Sequence, residues 1–447
     1  MSEQDLRTGF VEDDGVEDDP AVAGTVTFNP ATGTTLHVSY ASRMPQFARP
    51  ERWFEDMGAQ IPSTLIFDDG GGSITLIDPG VVRMRGHGIV SVQVRADVTV
   101  FGLPRSWQSA YAVERFASVL DGLGPLCGFA PVTIGEAGGT RRIVVSLEPQ
   151  ERIEWEAQGY TYSLVSRASW TGRDGEHFEI VDSRPYLETR RTDGSIVSDH
   201  FSAHWPIRAL LTLLYGAPVR WREHWLQDDE FPTWTAGGTA VTGTSSRVEL
   251  RSTVRDHDEP ESDDLHRVNL SVGIEPLIDG GFVRWIDRYA DDEFRRAVDP
   301  AVEVFNGATR FVEPQLMMLA MALDRFGHYR FERKARRPQH VNILKCLDEA
   351  GLDLPAIGSR LGIASAIARM NNDLKHPDRE TDPTSPEIRA VTRLAKFVVR
   401  AQLLDLVDVD PDGRIGFFTG FQAREVIRRF TSHGMTVADD GTILHAG

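Results

Sequence analysis

The apolar residues of this 447-residue chain change rhythm partway along, and that change limits what it can fold into. Up to about residue 200 they alternate with polar residues, whereas from about 283 they recur three and four positions apart. A period of two turns one face of a strand inward, and a period near 3.6 does the same for a helix. We therefore expect an α+β chain. Its parts are an acidic disordered tail over 1–20, a β-rich N-terminal domain with some helices over 21–282, an all-α helical domain over 283–435 and a short tail over 436–447. A chain of this length holds two or three domains rather than one.

Turn residues punctuate the β half. "GTVTFNPATGTTLHVSY" predicts two strands around Asn29, Pro30 and Gly33, and "TLIFDDGGGSITLI" repeats the pattern around Asp68 to Gly72. "YLETRRTDGSIVSDHF" predicts a hairpin folded at Asp193-Gly194. "PIRALLTLLYG" and "RWREHWLQDDEF" read as helices, the second with Trp221 and Trp225 four apart on one face. Farther on, Leu316, Leu319, Ala320, Leu323 and Phe326 mark one helix, and a later one begins with Ser385 as N-cap and Pro386 in its first turn.

The net charge of −18 argues against a general nucleic-acid coat. The acid is concentrated, however, in the first 19 residues and in "RDHDEPESDD" (255–264), while bases gather at "RFGHYRFERKARR" (325–337) and "REVIRRF" (424–430). A nucleic-acid enzyme therefore stays open. Cys127 and Cys346 are the only cysteines, which argues for a reduced, cytoplasmic protein without a disulfide framework or a cysteine-based zinc site. No apolar run nears the roughly 18 residues of a membrane span, and the acidic N-terminus lacks the pattern of a secretory signal.

The stretch richest in chemistry is "ARMNNDLKHPD" (368–378). On a helix, Ile363, Ile367, Met370 and Leu374 form an apolar face, and Ser365, Arg369, Asn372, Asp373 and His376 form the opposite one. Arg369 and His376 nearly align, about 10 Å apart along the axis. Pro377 biases His376 away from helical geometry, so the histidine sits at the last turn. A histidine near its reference pKa takes a proton from a 2′-hydroxyl or gives one to a leaving oxygen. Arginine holds a phosphate through paired hydrogen bonds, and asparagine donates a further one. Arg369, His376, Asn372 and Asp373 are thus the candidate catalytic residues, and this chemistry requires no metal or other cofactor. Arg333, Lys334, Arg336, Arg337 and Lys375 are the candidates for holding an RNA backbone, with Tyr329 and Phe331 available for stacking. The plainer alternative is a solvated helix face, with Arg369–Asp373 a surface pair and His376 a dipole partner.

Arg369 and His376, separated by six residues, resemble the R-x4–6-H signature of the HEPN superfamily, and the order of a β-rich domain before helices is most similar to Apea-like HEPN proteins. That resemblance implies an all-α HEPN-type helical bundle cleaving RNA without metal as a homodimer. It also implies prokaryotic anti-phage defence by abortive infection, with a phage-derived trigger and no membrane association. Met370 follows the arginine here, where many members carry a polar residue. Two other readings stand beside it: a non-catalytic HEPN module that binds RNA or a partner protein, and a glycan- or peptide-binding β-rich half. "DVDPDG" (408–413) imitates the start of a calcium loop, but Thr419 occupies the twelfth position, so a polar turn is expected.

Overall fold

The computed structural model describes residues 6–13, 21–102, 111–129, 132–136, 143–147, 151–167, 169–173, 177–182, 184–229, 231–234, 240–241, 245–257, 259–263, 265, 270, 272–332, 335–376 and 383–446. Six strands open it: β1 (Leu6–Asp13), β2 (Val22–Thr27), β3 (Thr35–Ala41), β4 (Thr64–Asp68), β5 (Ser73–Arg85) and β6 (Ile89–Val100). They close on themselves in the order β6-β3-β2-β1-β4-β5-β6, each neighbour antiparallel. Val11, Val26, Leu36, Val38, Leu65 and Phe67 fill the interior, as side chains do in a small barrel. Helix α1 (Ala48–Phe54) adds Trp53 and Phe54 to this core. The Trp53 indole donates to the buried Asp13 carboxylate at 3.2 Å, and Arg49 lies 3.5 Å from the same group. That charge is therefore compensated where burial would otherwise be costly.

Strand β6 serves two structures. One edge runs along β5, from Arg85 opposite Ser91 to Thr75 opposite Val100. The other is divided: Ile89–Val94 pairs with β3, and Val98–Val100 pairs with β18 (Ser245–Leu250). From there an open antiparallel sheet continues through β15 (Trp221–Gln227), β7 (Ala112–Leu120), β14 (Tyr186–Ile196), β11 (Tyr160–Val165) and β10 (Arg152–Ala157). Three two-stranded ribbons join these strands: β8 (Val132–Glu136) with β9 (Ile143–Leu147), β12 (Ser169–Arg173) with β13 (His177–Asp182), and β16 (Thr233–Trp234) with β17 (Ala240–Val241). Short helices α2 (Leu123–Cys127) and α4 (Val254–His257) flank the sheet, and the long α3 (Val197–Tyr215) packs on one face of it.

The rest is mainly helical: α5 (Phe282–Tyr289), α6 (Asp292–Phe305), α7 (Val312–Arg330), α8 (Gln339–Ala350), α9 (Arg360–Lys375), α10 (Ser385–Leu406), α11 (Pro411–Thr419) and α12 (Phe421–Thr431). A final hairpin, β19 (Met435–Val437) with β20 (Ile443–His445), folds back on α9. One apolar core runs from Phe116, Leu164 and Leu226 of the sheet through Leu210 of α3 to Leu323, Ile367 and Val398. The buried Arg400 of α10 ties the layers together. Its guanidinium donates to the carbonyl of Leu213 at 2.8 Å and to those of Leu214 and the Gln422 side chain, filling acceptors at the end of α3. Gly216, at φ +65°, ends α3, and a Cβ there would stand 3.1 Å from the Arg400 side chain. Among the described residues no helix is long and apolar enough to cross a membrane.

Several expectations are corrected. The simple α+β order, a β-rich domain before an all-α HEPN-type bundle, gives way to a closed six-stranded barrel with further strands, then a helical region. Alternation is the same for an open sheet and a closed barrel, and only the registers of β6 with β3 and β5 close the ring. Residues 6–13 are not tail, because Val11 and Asp13 face the barrel core as β1. Nor are residues 436–445 of the expected C-terminal tail, which with Met435 form the last hairpin. Trp221–Gln227 is strand rather than helix, since pairing with β7 and β18 overrides local preference and buries Trp221, His224 and Leu226. Asp193-Gly194 makes an irregularity within β14 instead of a hairpin. The N-cap of α10 is Thr384, whose capping box with Glu387 starts the helix at Ser385.

Candidate functional site

Helix α9 begins with the Ser359 hydroxyl accepting from the Gly362 N–H at 3.0 Å, and ends at His376, whose backbone leaves helical geometry (φ −125°, ψ 82°). Ile363, Ile367 and Met370 are buried. Arg369, Asn372 and Asp373 are half-buried, while Lys375 and His376 are exposed. The helical wheel read from the sequence therefore matches. Neither His376, Asn372 nor Lys375 has a side-chain hydrogen bond within the described structure.

Arg369 is not free. Its Nη1 donates to the Thr442 hydroxyl at 2.6 Å, and its guanidinium lies 3.9 Å from Asp373 and 4.0 Å from Asp440. Thr442 in turn donates its backbone N–H and its hydroxyl to Asp440, each at 2.9 Å. These two hydrogen bonds, with Arg369 beside them, hold the Asp440 carboxyl below its usual range. The hairpin is fastened on both sides. The Val437 N–H donates to the Ile357 carbonyl at 2.8 Å, Ser359 bonds Asp439, and the His445 Nε2–H donates to Glu387 at 2.9 Å. Burial pushes Glu387 up, but the bonds from His445 and Thr384 outweigh it and keep the carboxyl below the usual range. Gly441 makes the close approach possible: at φ +83°, a Cβ there would meet Ser365 backbone at 2.5 Å.

Asn371 points the other way. It is fully buried and donates to Gln339 at 2.9 Å, placing the start of α8 beside the last turns of α9. Arg336 is exposed, and Arg337 lies over the Phe331 ring at 3.8 Å. Arg333 and Lys334 lie outside the described residues. The stacking expectation is corrected: Tyr329 packs on Phe294 at 5.3 Å, and Phe331 is already faced by Arg337. Asp410, in the calcium-like segment, caps α11 by accepting from the Gly413 N–H.

A second polar constellation escaped the sequence reading. His200 and His204 of α3 meet Thr189 and Ser118 of the sheet, and Ser118 meets His224, all buried. The Val113 carbonyl can only accept, so the His200 Nε2–H donates to it at 2.9 Å. With the rings neutral, the directions along the chain as far as His224 run on from there. Thr189 donates to His200 Nδ1 at 3.0 Å, and His204 Nε2–H donates to Thr189 at 2.9 Å. Ser118 donates to His204 Nδ1 at 2.9 Å and His224 Nδ1–H donates to Ser118 at 2.8 Å, while His224 Nε2 lies 3.0 Å from the Thr253 hydroxyl, which also reaches the Leu250 carbonyl at 3.1 Å. Burial holds His200 below its usual pKa, and His204 and His224 well below it. The i,i+4 spacing of His200 and His204 was the one signal in the sequence.

Compared with family models, curated proteins and solved structures, the chain matches none.

Proposed function

We propose that the C-terminal end of α9 is an RNA-cleaving site of the Arg-x6-His kind, and that the chain is a metal-independent endoribonuclease effector of anti-phage abortive infection. The observation that carries this reading is His376, exposed and unpartnered within the described structure at the end of the helix that also presents Arg369, Asn372 and Asp373. His376 acts as general acid/base. One histidine of a dimer's pair takes the 2′-hydroxyl proton as that oxygen forms a bond to phosphorus, and the other gives a proton to the 5′-oxygen as its bond to phosphorus breaks, leaving a cyclic phosphate and a 5′-hydroxyl. Arg369 and Asn372 stabilise the phosphate, Asp373 orients Arg369, and Arg336, Arg337 and Lys375, together with Arg333 and Lys334, hold the strand. One helix supplies one histidine, so a homodimer completes the site. Cleavage of total bacterial RNA in EDTA, lost in His376→Ala with the unfolding midpoint unchanged, is the expected result. Cleavage retained by that variant refutes the assignment.

A second reading rests on the contacts of Arg369. Its guanidinium is already held by Thr442 near Asp440 and Asp373, which suits a module that binds RNA or a partner protein without cutting. On that reading Arg369→Ala weakens RNA binding and no cleaved product appears under any condition.

A further inference from the structure

Between the β10–β11 hairpin, α3, α5 and α6 lies a cavity of ≈ 560 Å³, within the range of small-molecule sites. It joins the sheet to the helices far along the chain from Arg369 and His376. Four aromatic rings line it: Tyr160 and Tyr162 from β11, Trp205 from α3 and Tyr289 from α5. Asp299 and Glu303 of α6 face the same space. The Gln158 amide donates to Asp287 at 2.7 Å, tying the hairpin turn to α5.

Acid outnumbers base in the lining. Among the described residues Asp199, Asp299 and Glu303 line the cavity with one cation, Arg295, already paired with Asp292, and Arg208, over the Trp205 ring, also attracts Glu303. Asp299 is half-buried and accepts from the Tyr289 hydroxyl at 2.7 Å. Burial raises its pKa, against the lowering effects of that hydrogen bond and of Arg295. The rings attract cations too. Arg191 lies over Tyr160 at 5.6 Å and Arg208 over Trp205 at 4.8 Å, whereas Tyr162 and Tyr289 carry none among the described residues. Aromatic faces with carboxylates at their rim recognise an ammonium or guanidinium group. An anion would be repelled, and a neutral sugar would leave the carboxylates uncompensated.

We propose that this cavity binds a small organic cation, its ammonium or guanidinium group set among the rings and paired with Asp299 and Glu303. Bound there, the ligand braces the open sheet against α5 and α6.

The test is titration of the full-length protein with choline and with agmatine, read by tryptophan fluorescence and calorimetry, with glucose as the neutral control. Saturable binding of at least one cation is expected, together with no binding of glucose. Asp299→Asn, close in shape, and Glu303→Gln, on an exposed residue, should each weaken binding about tenfold. Glu303→Gln keeps the test decisive if Asp299→Asn does not fold. Failure of both cations to saturate, binding unchanged in Glu303→Gln, or binding of glucose alone would each overturn the proposal. The outcome is independent of whether α9 cuts RNA.

Discussion

Replacing His204 with leucine breaks the buried histidine chain at its centre, and its consequences can be worked out at two pH values. His204 is fully buried and bonds Thr189 and Ser118, each at 2.9 Å. Leucine leaves the Ser118 hydroxyl without an acceptor. An orphaned buried donor costs about 1–3 kcal/mol and the second lost bond about 1, so His204→Leu should lose roughly 2–4 kcal/mol at pH 7. The pH dependence is more diagnostic. His204 and His224 have folded pKa values well below the usual one, so the unfolded chain takes up protons that the native state refuses. Stability is therefore full above the unfolded pKa of about 6.5 and falls as pH drops from there toward the folded values. Between pH 7 and 5.5, each such histidine removes at most on the order of 1 kcal/mol. The variant should lose less over that interval than the wild type, by up to on the order of 1 kcal/mol, since its carboxylates titrate alike and cancel. Guanidinium unfolding curves at both pH values give the numbers. Equal losses in the two proteins, or a variant as stable as wild type at pH 7, would refute the all-neutral chain.

Other outcomes are equally direct. Arg400→Met strips donors from the Leu213 and Leu214 carbonyls and from Gln422, and should destabilise the protein by about 2–3 kcal/mol by denaturant midpoint. The loss should appear in the sheet and helical signals together, because Arg400 fastens α10 to α3, the helix that packs on the sheet. Thr442→Val frees Arg369 from its 2.6 Å hydrogen bond. If Arg369 meets phosphate, affinity for single-stranded RNA should rise by up to about tenfold, the worth of one hydrogen bond to a charged group. Fluorescence anisotropy at low salt reads this, and the gain should vanish when Arg369→Ala is added.

Local chemistry was legible and long-range pairing was not. The turns at Asn29–Gly33 and Asp68–Gly72 announce the β2–β3 and β4–β5 hairpins, because Gly33, Gly70 and Gly72 take positive φ and the Asn29 side chain accepts from the Ala31 N–H. The spacing of Ile363, Ile367 and Met370 announces α9 and its polar face for the same local reason. Trp221–Gln227 fails because two neighbouring strands, supplied by distant parts of the chain, decide its conformation. Thr442 and Asp440 were invisible as companions of Arg369, since β19 and β20 have three residues each and carry almost no periodic signal. The cavity is invisible for a related reason: its rings and carboxylates come from four elements spread over about 145 residues.

The divided edge of β6 bears on how this protein can be taken apart, in the laboratory or by recombination. A cut just after Val100 looks clean along the chain, for the barrel's six strands lie wholly before it. It is not clean in hydrogen bonds. The piece that follows would carry β18 with Val248, Glu249 and Leu250 stripped of their partners, and the barrel would keep the matching bare stretch at Val98–Val100. Unpaired strand edges recruit other strands. The barrel is therefore no interchangeable cassette: a transplanted copy would bring an adhesive seam, and the remnant would seek a substitute from its own kind.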